Sequence, residues 1–468
     1  MARCVIVSNR GPVVQRREPS GAIAEGPSPG GLATMLIGAA GGLDATWVAA
    51  ADLDHGARDR QLRLALPGGE VTLRSLPIDR DDYLDYYDRV SNGMLWFLHH
   101  HLPFDPTHEG RWPAYRRVNE RFAAACADEA APGGEVLIQD YQLSLVPRLL
   151  RGRRPDLAIA HCTSCPWAEP ASFGMLPAGI AAALIDGMLG ADLVAFMVER
   201  WAESFLGCCQ NLGFDIDRRD RGVRLASGRT VRVRAVPVGS DADGLLAQLS
   251  GPRWEEELRH MGGLAAGRRL LVRVDRAEPS KNIVRGLHAY GRLLERGPTL
   301  RGTVVHYVLA HSPRARVPEC RAYVEEVERA AREVNARFGG DGWQPVELDT
   351  AENRLRALAA MALADVLVVN PLRDGMNLVC KEGSIVSSRD AVLILSREAG
   401  AADTMAEGAL MVSPGDVGEL ADSLARALAM PAIERRRRAA LLRASAAESP
   451  PRRWLGEVRR HLAEAAGS

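Results

Sequence analysis

The chain has 468 residues, with 59 basic and 59 acidic side chains for a formal net charge of zero, and 47% hydrophobic against 25% charged residues. Single cores stop growing near roughly 250 to 300 residues, so two domains are expected. Balanced charge does not call for nucleic acid or a membrane surface as the principal partner, and eight cysteines are too sparse for a disulfide scaffold, which points to a reducing compartment.

The start, MARCVIVSNRGPVV, holds a short apolar run, briefer than a signal-peptide core, and reads as a mature cytoplasmic terminus. CVIVS (4–8) is a strand, and Gly30-Gly31 ahead of a helical pattern has the form of a phosphate loop. Consecutive side chains in His99-His100-His101 diverge on a helix and do not make a metal site. EVLIQD (135–140) and LAIAHC (157–162) are further strands. Cys162 and Cys165 have the spacing of a metal half-site, but no second ligand pair stands at finger-like spacing, so two small buried residues are expected. The apolar window from Ile180 to Val198 is broken by Asp186 and Asp192, which makes it helix, turn and strand (192–198) rather than a membrane span. GVRLASGRTVRVRAVPVG reads as a hairpin around SGR.

Past the turn-rich GSDADGLLAQLSGP the alternation restarts. Strands are expected at 270–274, 303–310, 345–349, 365–370 and 391–395, with helices from about Asn282, over 318–337, over 351–363, from about 376 and over 415–429. Near-continuous apolar strands alternating with helices belong to parallel sheets covered on both faces. The expected class is α/β, with two Rossmann-like doubly wound domains (1–240 and 241–432) and a helical segment, 433–468, packing back on the first. Two such sheets facing each other place a ligand cleft at the carboxyl ends of their strands. The basic run in IERRRRAALLRASAAESPPRRW is the solvated face of a helix.

One stretch in the second half, RDGMNLVCKE (373–382), carries chemistry. The amides of Met376, Asn377, Leu378 and Val379 would be first-turn donors at the positive end of a helix, which suits a diphosphate. Gly375 lets the backbone come close, Glu382 would accept two ribose hydroxyls, and Asp374 would accept hydroxyls of a sugar. In VDRAEPSKN (274–282), Arg276 offers a planar fork and Lys281 a point charge at a strand end. The group describes a nucleotide-sugar cradle.

SNR, GGL, YYDRVSNGMLW, QDYQLSLVP, the Pro166-Trp167 region, DRAEPSKN, PLRDGMNLVCKE and LSREAGAA occur in an order and spacing that resembles the trehalose-6-phosphate synthase family, over about residues 5 to 430. The resemblance implies a two-Rossmann glycosyltransferase fold (GT-B) and transfer of glucose from a nucleotide sugar to a sugar phosphate. Retention at the anomeric carbon, no cofactor and no metal ion are implied as well. It implies a donor site of Gly31, Arg276, Lys281, Asp374, Gly375, Met376, Asn377, Leu378, Val379 and Glu382. The implied acceptor site is Arg10, Tyr87, Trp96, Asp140 and Arg314, with both arginines and the tyrosine hydroxyl on a phosphate. Arg276, Lys281, Asp374, Asp140 and Ser164 form the expected catalytic group.

Two positions depart from the family pattern. Ser164 stands where the family has a histidine touching the donor sugar, and His161, on the opposite side of its strand, is expected to be buried and structural. Ala50 stands where a second tryptophan commonly follows Trp47, which admits a bulkier acceptor. UDP and GDP donors, the acceptor and homo-oligomerisation stay open. Alternatives are a pseudo-glycosyltransferase that joins a cyclitol to an amine, and a nucleotide-sugar-binding protein without turnover. A dinucleotide oxidoreductase is disfavoured because no G-x-G-x-x-G with a following acidic residue stands after a first strand.

Overall fold

The structure is a computed structural model that describes residues 1–17, 23–27, 31–51, 59–66, 68–312, 314 and 316–467. The chain divides into two compact units, residues 1–238 with 451–468 and residues 239–450.

In chain order the strands of the first unit are β1 (Ala2–Val7), β2 (Val13–Arg17), β3 (Ile23–Pro27), β4 (Ala45–Ala50), β5 (Arg60–Leu66), β6 (Gly69–Leu76), β7 (Ala130–Gln139), β8 (Ala158–Thr163), β9 (Leu193–Phe196), β10 (Asp215–Asp217), β11 (Gly222–Arg224) and β12 (Thr230–Ala235). β2 and β3 form an antiparallel ribbon, and the others one sheet in the order β10-β11-β12-β9-β8-β7-β1-β4-β6-β5. The central strands β9, β8, β7, β1 and β4 are mutually parallel and mostly buried along their length, as strands covered on both faces must be. From β1 the chain runs outward one way through β4 and β6, then returns to the other side for β7, β8 and β9. That reversal between β1 and β7 is the sheet's topological switch point. The SGR hairpin is present, with β11 and β12 antiparallel.

One long helix, Arg80 to His99, is not among the elements expected in chain order. It opens with the Asp79 carboxylate accepting the amides of Asp81 and Asp82, winds as a π-helix over Leu84–Leu95, and returns to α geometry at Trp96–His99. The Trp96 amide reaches back to the Ser91 carbonyl, five residues away. π-Helical turns are frequent at functional sites.

The second unit contains β13 (Arg269–Arg276), β14 (Val304–His311), β15 (Val346–Asp349), β16 (Val366–Val369), β17 (Val392–Ser396) and β18 (Leu410–Val412). They form a parallel sheet in the order β15-β14-β13-β16-β17-β18, so its switch point lies between β13 and β16. Helices Ile283–Arg296, Pro318–Phe338, Arg354–Leu363, Leu378–Val386 and Val417–Leu428 alternate with the strands. The third starts at Arg354 rather than 351 because the Asn353 side chain caps it, accepting the Arg356 amide.

The segment 433–468 is not one piece. Helix Ala432–Ala447 belongs to the second unit, where Arg438 reaches the Ala409 carbonyl at 3.1 Å. Pro450-Pro451 ends the run, since proline cannot continue a helix. Helix Pro451–Ala466 belongs to the first unit, where Trp454 Nε1 donates to the Val236 carbonyl at 3.1 Å and Arg459 pairs with Glu135 at 2.6 Å. Along the basic run Arg436 and Arg437 are exposed, whereas Arg435 donates to the Asp390 carbonyl at 3.3 Å. Among the described residues no helix is long and apolar enough to cross a membrane.

Candidate active site

At the switch point of the second unit the loops that leave β13 and β16 are laced together. After Arg276 the chain passes through a 3₁₀ turn, Pro279–Lys281, into Asn282 with φ of 60°. Asn282 Nδ2 donates to the Asn370 carbonyl at 3.0 Å and the Pro414 carbonyl at 2.7 Å, while the Leu372 amide donates to the Ser280 carbonyl at 2.7 Å. These bonds fix Lys281 beside Asp374, with Nζ 2.5 Å from Oδ2; Asn377 Nδ2 donates to the same oxygen at 3.1 Å. Arg276 Nη1 and Arg314 Nε both approach Glu278 Oε1, at 3.1 and 3.3 Å. Fully buried Arg273 donates from Nε to Asp275 at 2.9 Å and from Nη2 to the Lys281 carbonyl at 2.7 Å.

Four cations and three carboxylates thus share one neighbourhood, leaving positive charge in excess. Burial alone would raise the Glu278 pKa, but Arg276, Arg314 and Lys281 outweigh it and hold the carboxyl below its ordinary value. Burial would likewise lower Lys281, yet Asp374 and Asp275 lift it above the ordinary lysine value, so it stays an ammonium. Burial dominates at Asp275 and raises its pKa despite Arg273.

Two expectations need correcting here. The helix starts at Leu378 rather than about 376. Asn377, with φ of 77°, is its cap, and its own side chain accepts the Cys380 amide at 3.1 Å. Met376 is buried one residue before that cap. Met376 and Asn377 therefore leave the set of first-turn donors, while the amides of Leu378 and Val379, at the first two helical positions, have no carbonyl of their own helix behind them. Glu382 is engaged by Arg354, which holds its two oxygens at 3.0 and 3.2 Å. Gly375 does lie at a close backbone pass, since a Cβ on Gly400 would fall 1.9 Å from its carbonyl oxygen. Gly31 is the exposed first residue of helix Gly31–Ala40, and Gly30 lies outside the described residues.

In the first unit β1 and β7 are paired through Val7 and Ile138, so Asn9-Arg10 and Asp140 leave the sheet side by side at its switch point. Asn9 is clamped by the helix over 80–99: its Nδ2 donates to Tyr83 Oη at 3.1 Å, and Tyr86 Oη donates to its Oδ1 at 3.0 Å. The Arg10 guanidinium carbon then lies 5.5 Å from the centre of the Tyr87 ring, a cation–π distance. Asp140 has φ of 71° and ψ of 167°, a region almost confined to glycine. It is held there by its amide, which donates to the Cys162 carbonyl at 2.7 Å, and by Oδ1, which accepts the Ser164 amide at 3.1 Å. Backbone strain of this kind collects at functional sites. The Ser164 hydroxyl is buried with no hydrogen-bond partner among the described residues.

Of the acceptor candidates, Arg10 and Tyr87 are brought together, and Asp140 stands beside Ser164. Trp96 stacks on His100 at 4.2 Å, a helix-face core setting, and Arg314 belongs to the second unit on Glu278. His161 is buried, with Nδ1 3.3 Å from Thr163 Oγ1, and burial pushes it down to about 4. Cys162 and Cys165 are both buried, and burial pushes the Cys162 thiol up to about 12. Fully buried Trp47 donates to Ser8 Oγ at 2.8 Å, and the Ala50 amide donates to the Asn9 carbonyl at 3.1 Å, so Ala50 sits at this same rim. Sequence reasoning missed Glu278, Arg354, Arg273 and Asn9. Only Glu278 left a signal, as the lone acid between the two cations of DRAEPSK.

Solved structures share this architecture. The chain is 26% identical to the E. coli trehalose-6-phosphate structure bound with UDP-2-fluoro glucose, covering 98% of each chain with a TM-score of 0.85. It is 28% identical to an α,α-trehalose-phosphate synthase (UDP-forming) from Burkholderia xenovorans in complex with glucose-6-phosphate, covering 98% of this chain and 100% of that one with a TM-score of 0.86. Two doubly wound units with polar, strained switch-point rims are those of a glycosyltransferase of the two-Rossmann GT-B class. More narrowly, the chain belongs to glycosyltransferase family 20, whose family model matches residues 2–464. The trehalose-6-phosphate synthase of Mycobacterium sp. (strain JLS) is 35% identical over 463 residues, 96% of this chain and 94% of that protein. The protein is a glycosyltransferase of the trehalose-6-phosphate synthase kind.

Proposed function

We propose that the protein transfers a glucosyl group from UDP-glucose, or a closely similar nucleotide sugar, to a sugar phosphate with retention at the anomeric carbon. The switch-point rim of the second unit carries this reading, because Arg276, Lys281 and the Leu378 helix end all leave the carboxyl ends of β13 and β16 with positive charge in excess. A diphosphate suits such a rim: it takes charge-assisted bonds from the cations and plain hydrogen bonds from the helix amides. Glu382 takes the ribose hydroxyls in exchange for, or beside, the Arg354 fork. Arg314 serves the acceptor phosphate. The Ser164 hydroxyl, unpartnered among the described residues, donates to a sugar hydroxyl, with Asp140 fixed next to it.

In the transfer, the acceptor hydroxyl attacks the anomeric carbon on the face the diphosphate leaves. The bond from that carbon to the diphosphate oxygen breaks, and the hydroxyl proton passes to a phosphate oxygen of the leaving group. Arg276, Lys281 and the two amides neutralise the charge that develops, each such group contributing on the order of 10² to 10³ in kcat. This scheme needs no metal ion.

Ala50 supports a second reading of the acceptor alone. A methyl at this rim leaves room for a sugar or polyol phosphate larger than glucose 6-phosphate. The test is a matrix of UDP- and GDP-glucose against glucose 6-phosphate and larger sugar and polyol phosphates, read as released nucleoside diphosphate. Release that depends on a phosphorylated acceptor is expected. No release with any pair would leave a nucleotide-sugar-binding protein without turnover.

A further inference from the structure

β13 and β14 run side by side with Arg276 opposite His311, and the Ala277 amide donates to the His311 carbonyl at 2.7 Å. Two neighbouring strand ends therefore deliver Arg276 and, a few residues on, Arg314 to one place. Glu278 lies against both. It is completely buried, whereas the Arg276 side chain keeps 38% of its exposure, so the carboxylate sits beneath that arginine and not in front of it. Its oxygens have no well-aligned hydrogen bond among the described residues, although one of them is 3.1 and 3.3 Å from the two guanidinium groups. The attachment is thus one of charge. Lys281, Asp374 and the His311 imidazole also act on Glu278. The main chain of Glu278 closes the turn by itself, its amide bonded to the Arg276 carbonyl at 2.8 Å and its carbonyl accepting the Lys281 amide at 2.9 Å.

Two guanidinium groups drawn to one carboxylate oxygen repel each other, and the shared counter-charge offsets that repulsion. We propose that Glu278 is a positioning residue that seats Arg276 and Arg314 side by side, so that the arginine for the donor diphosphate and the arginine for the acceptor phosphate act as one clamp. This rests on the reading of those two arginines given above. Its consequence is that removing one buried charge, with the backbone turn and side-chain volume preserved, weakens the grip on both substrates at once. A residue serving only the donor would move one KM alone.

The experiment uses the full chain, with steady-state kinetics in donor and in acceptor and calorimetric titration of inorganic pyrophosphate. Glu278→Gln is expected to lower kcat at least tenfold, to raise both KM values threefold or more and to weaken pyrophosphate binding by a similar factor. Glu278→Asp, which keeps the charge on a shorter stem, is expected to recover part of each loss, and it carries the same test should Glu278→Gln not fold. Arg276→Ala and Arg314→Ala, made separately, test the underlying reading. If they raise KM while Glu278→Gln changes neither KM by more than twofold, the positioning role is wrong and the phosphate reading stands. If neither arginine variant raises KM, both fall together. Tighter pyrophosphate binding by Glu278→Gln would also overturn the proposal, since it would show the carboxylate competing with substrate phosphate.

Discussion

The Lys281–Asp374 pair gives the sharpest separation of folding from binding. Nζ and Oδ2 are 2.5 Å apart, and the two side chains keep only 13% and 14% of their exposure. Lys281→Met removes the cation and leaves the Asp374 carboxylate with Asn377 Nδ2 at 3.1 Å. Breaking a fully buried pair costs about 3 to 5 kcal/mol, so about 2 to 3 kcal/mol is expected at this slightly wetted site. Binding loses more. One unit of charge removed at roughly 4 Å from a diphosphate is worth about 4 kcal/mol at an effective dielectric constant near 20, or about a thousandfold in Kd. Adding Asp374→Asn to Lys281→Met removes both charges and is expected to return folding stability to within about 1 kcal/mol of the parent without restoring binding. Urea denaturation and calorimetric titration with UDP read the two quantities. UDP affinity within threefold of the parent in Lys281→Met, alongside the loss of stability, would show that Lys281 is structural and refute the diphosphate assignment.

Glu382→Gln is expected to weaken UDP binding about tenfold and leave inorganic pyrophosphate unchanged, since only the ribose contact is lost; equal losses for both ligands in parallel titrations would contradict the assignment. Ser164→Ala removes a hydroxyl that has no partner among the described residues, so stability should hold or rise by up to about 1 kcal/mol while kcat with the nucleotide sugar falls at least tenfold, as urea melts and turnover would show. Buried His161 has its pKa lowered to about 4, below the unfolded value of 6.5. The unfolded chain therefore binds more protons between these values, and stability is expected to fall by about 1.4 kcal/mol per pH unit as pH drops from 6.5 toward 4. His306, with burial pushing it down to about 3, acts in the same direction, so His161→Asn should flatten the slope measured in urea at pH 7 and pH 5 without abolishing it.

The sequence shows most clearly what is continuous along the chain. Buried parallel strands such as Val366–Val369 and Val392–Ser396 stand out as apolar runs, and RDGMNLVCKE announces a strand end followed by a helix. The boundary there was misplaced by two residues because Asn377 caps the helix with its own amide oxygen, a local competition that helical periodicity does not register. The helix over 80–99 escaped for a related reason, since a π-wound stretch does not repeat its apolar positions at 3.6 residues. Glu278 illustrates a different limit. Its importance comes from Arg314, which reaches it only because β13 and β14 are neighbours in the sheet, and adjacency of strands is not written in either segment. The same holds for Arg354, whose fork on Glu382 joins two helices that follow different strands.

The account stands on the rim between β13 and β16 being where a diphosphate is held, and a crystal structure of the full chain grown with UDP tests this most directly. It should place the diphosphate oxygens within roughly 3 Å of Lys281 Nζ, an Arg276 nitrogen and the amides of Leu378 and Val379. A diphosphate bound elsewhere on the chain, with Lys281 still closed on Asp374 and the Leu378 helix end covered by the protein's own side chains, would contradict it.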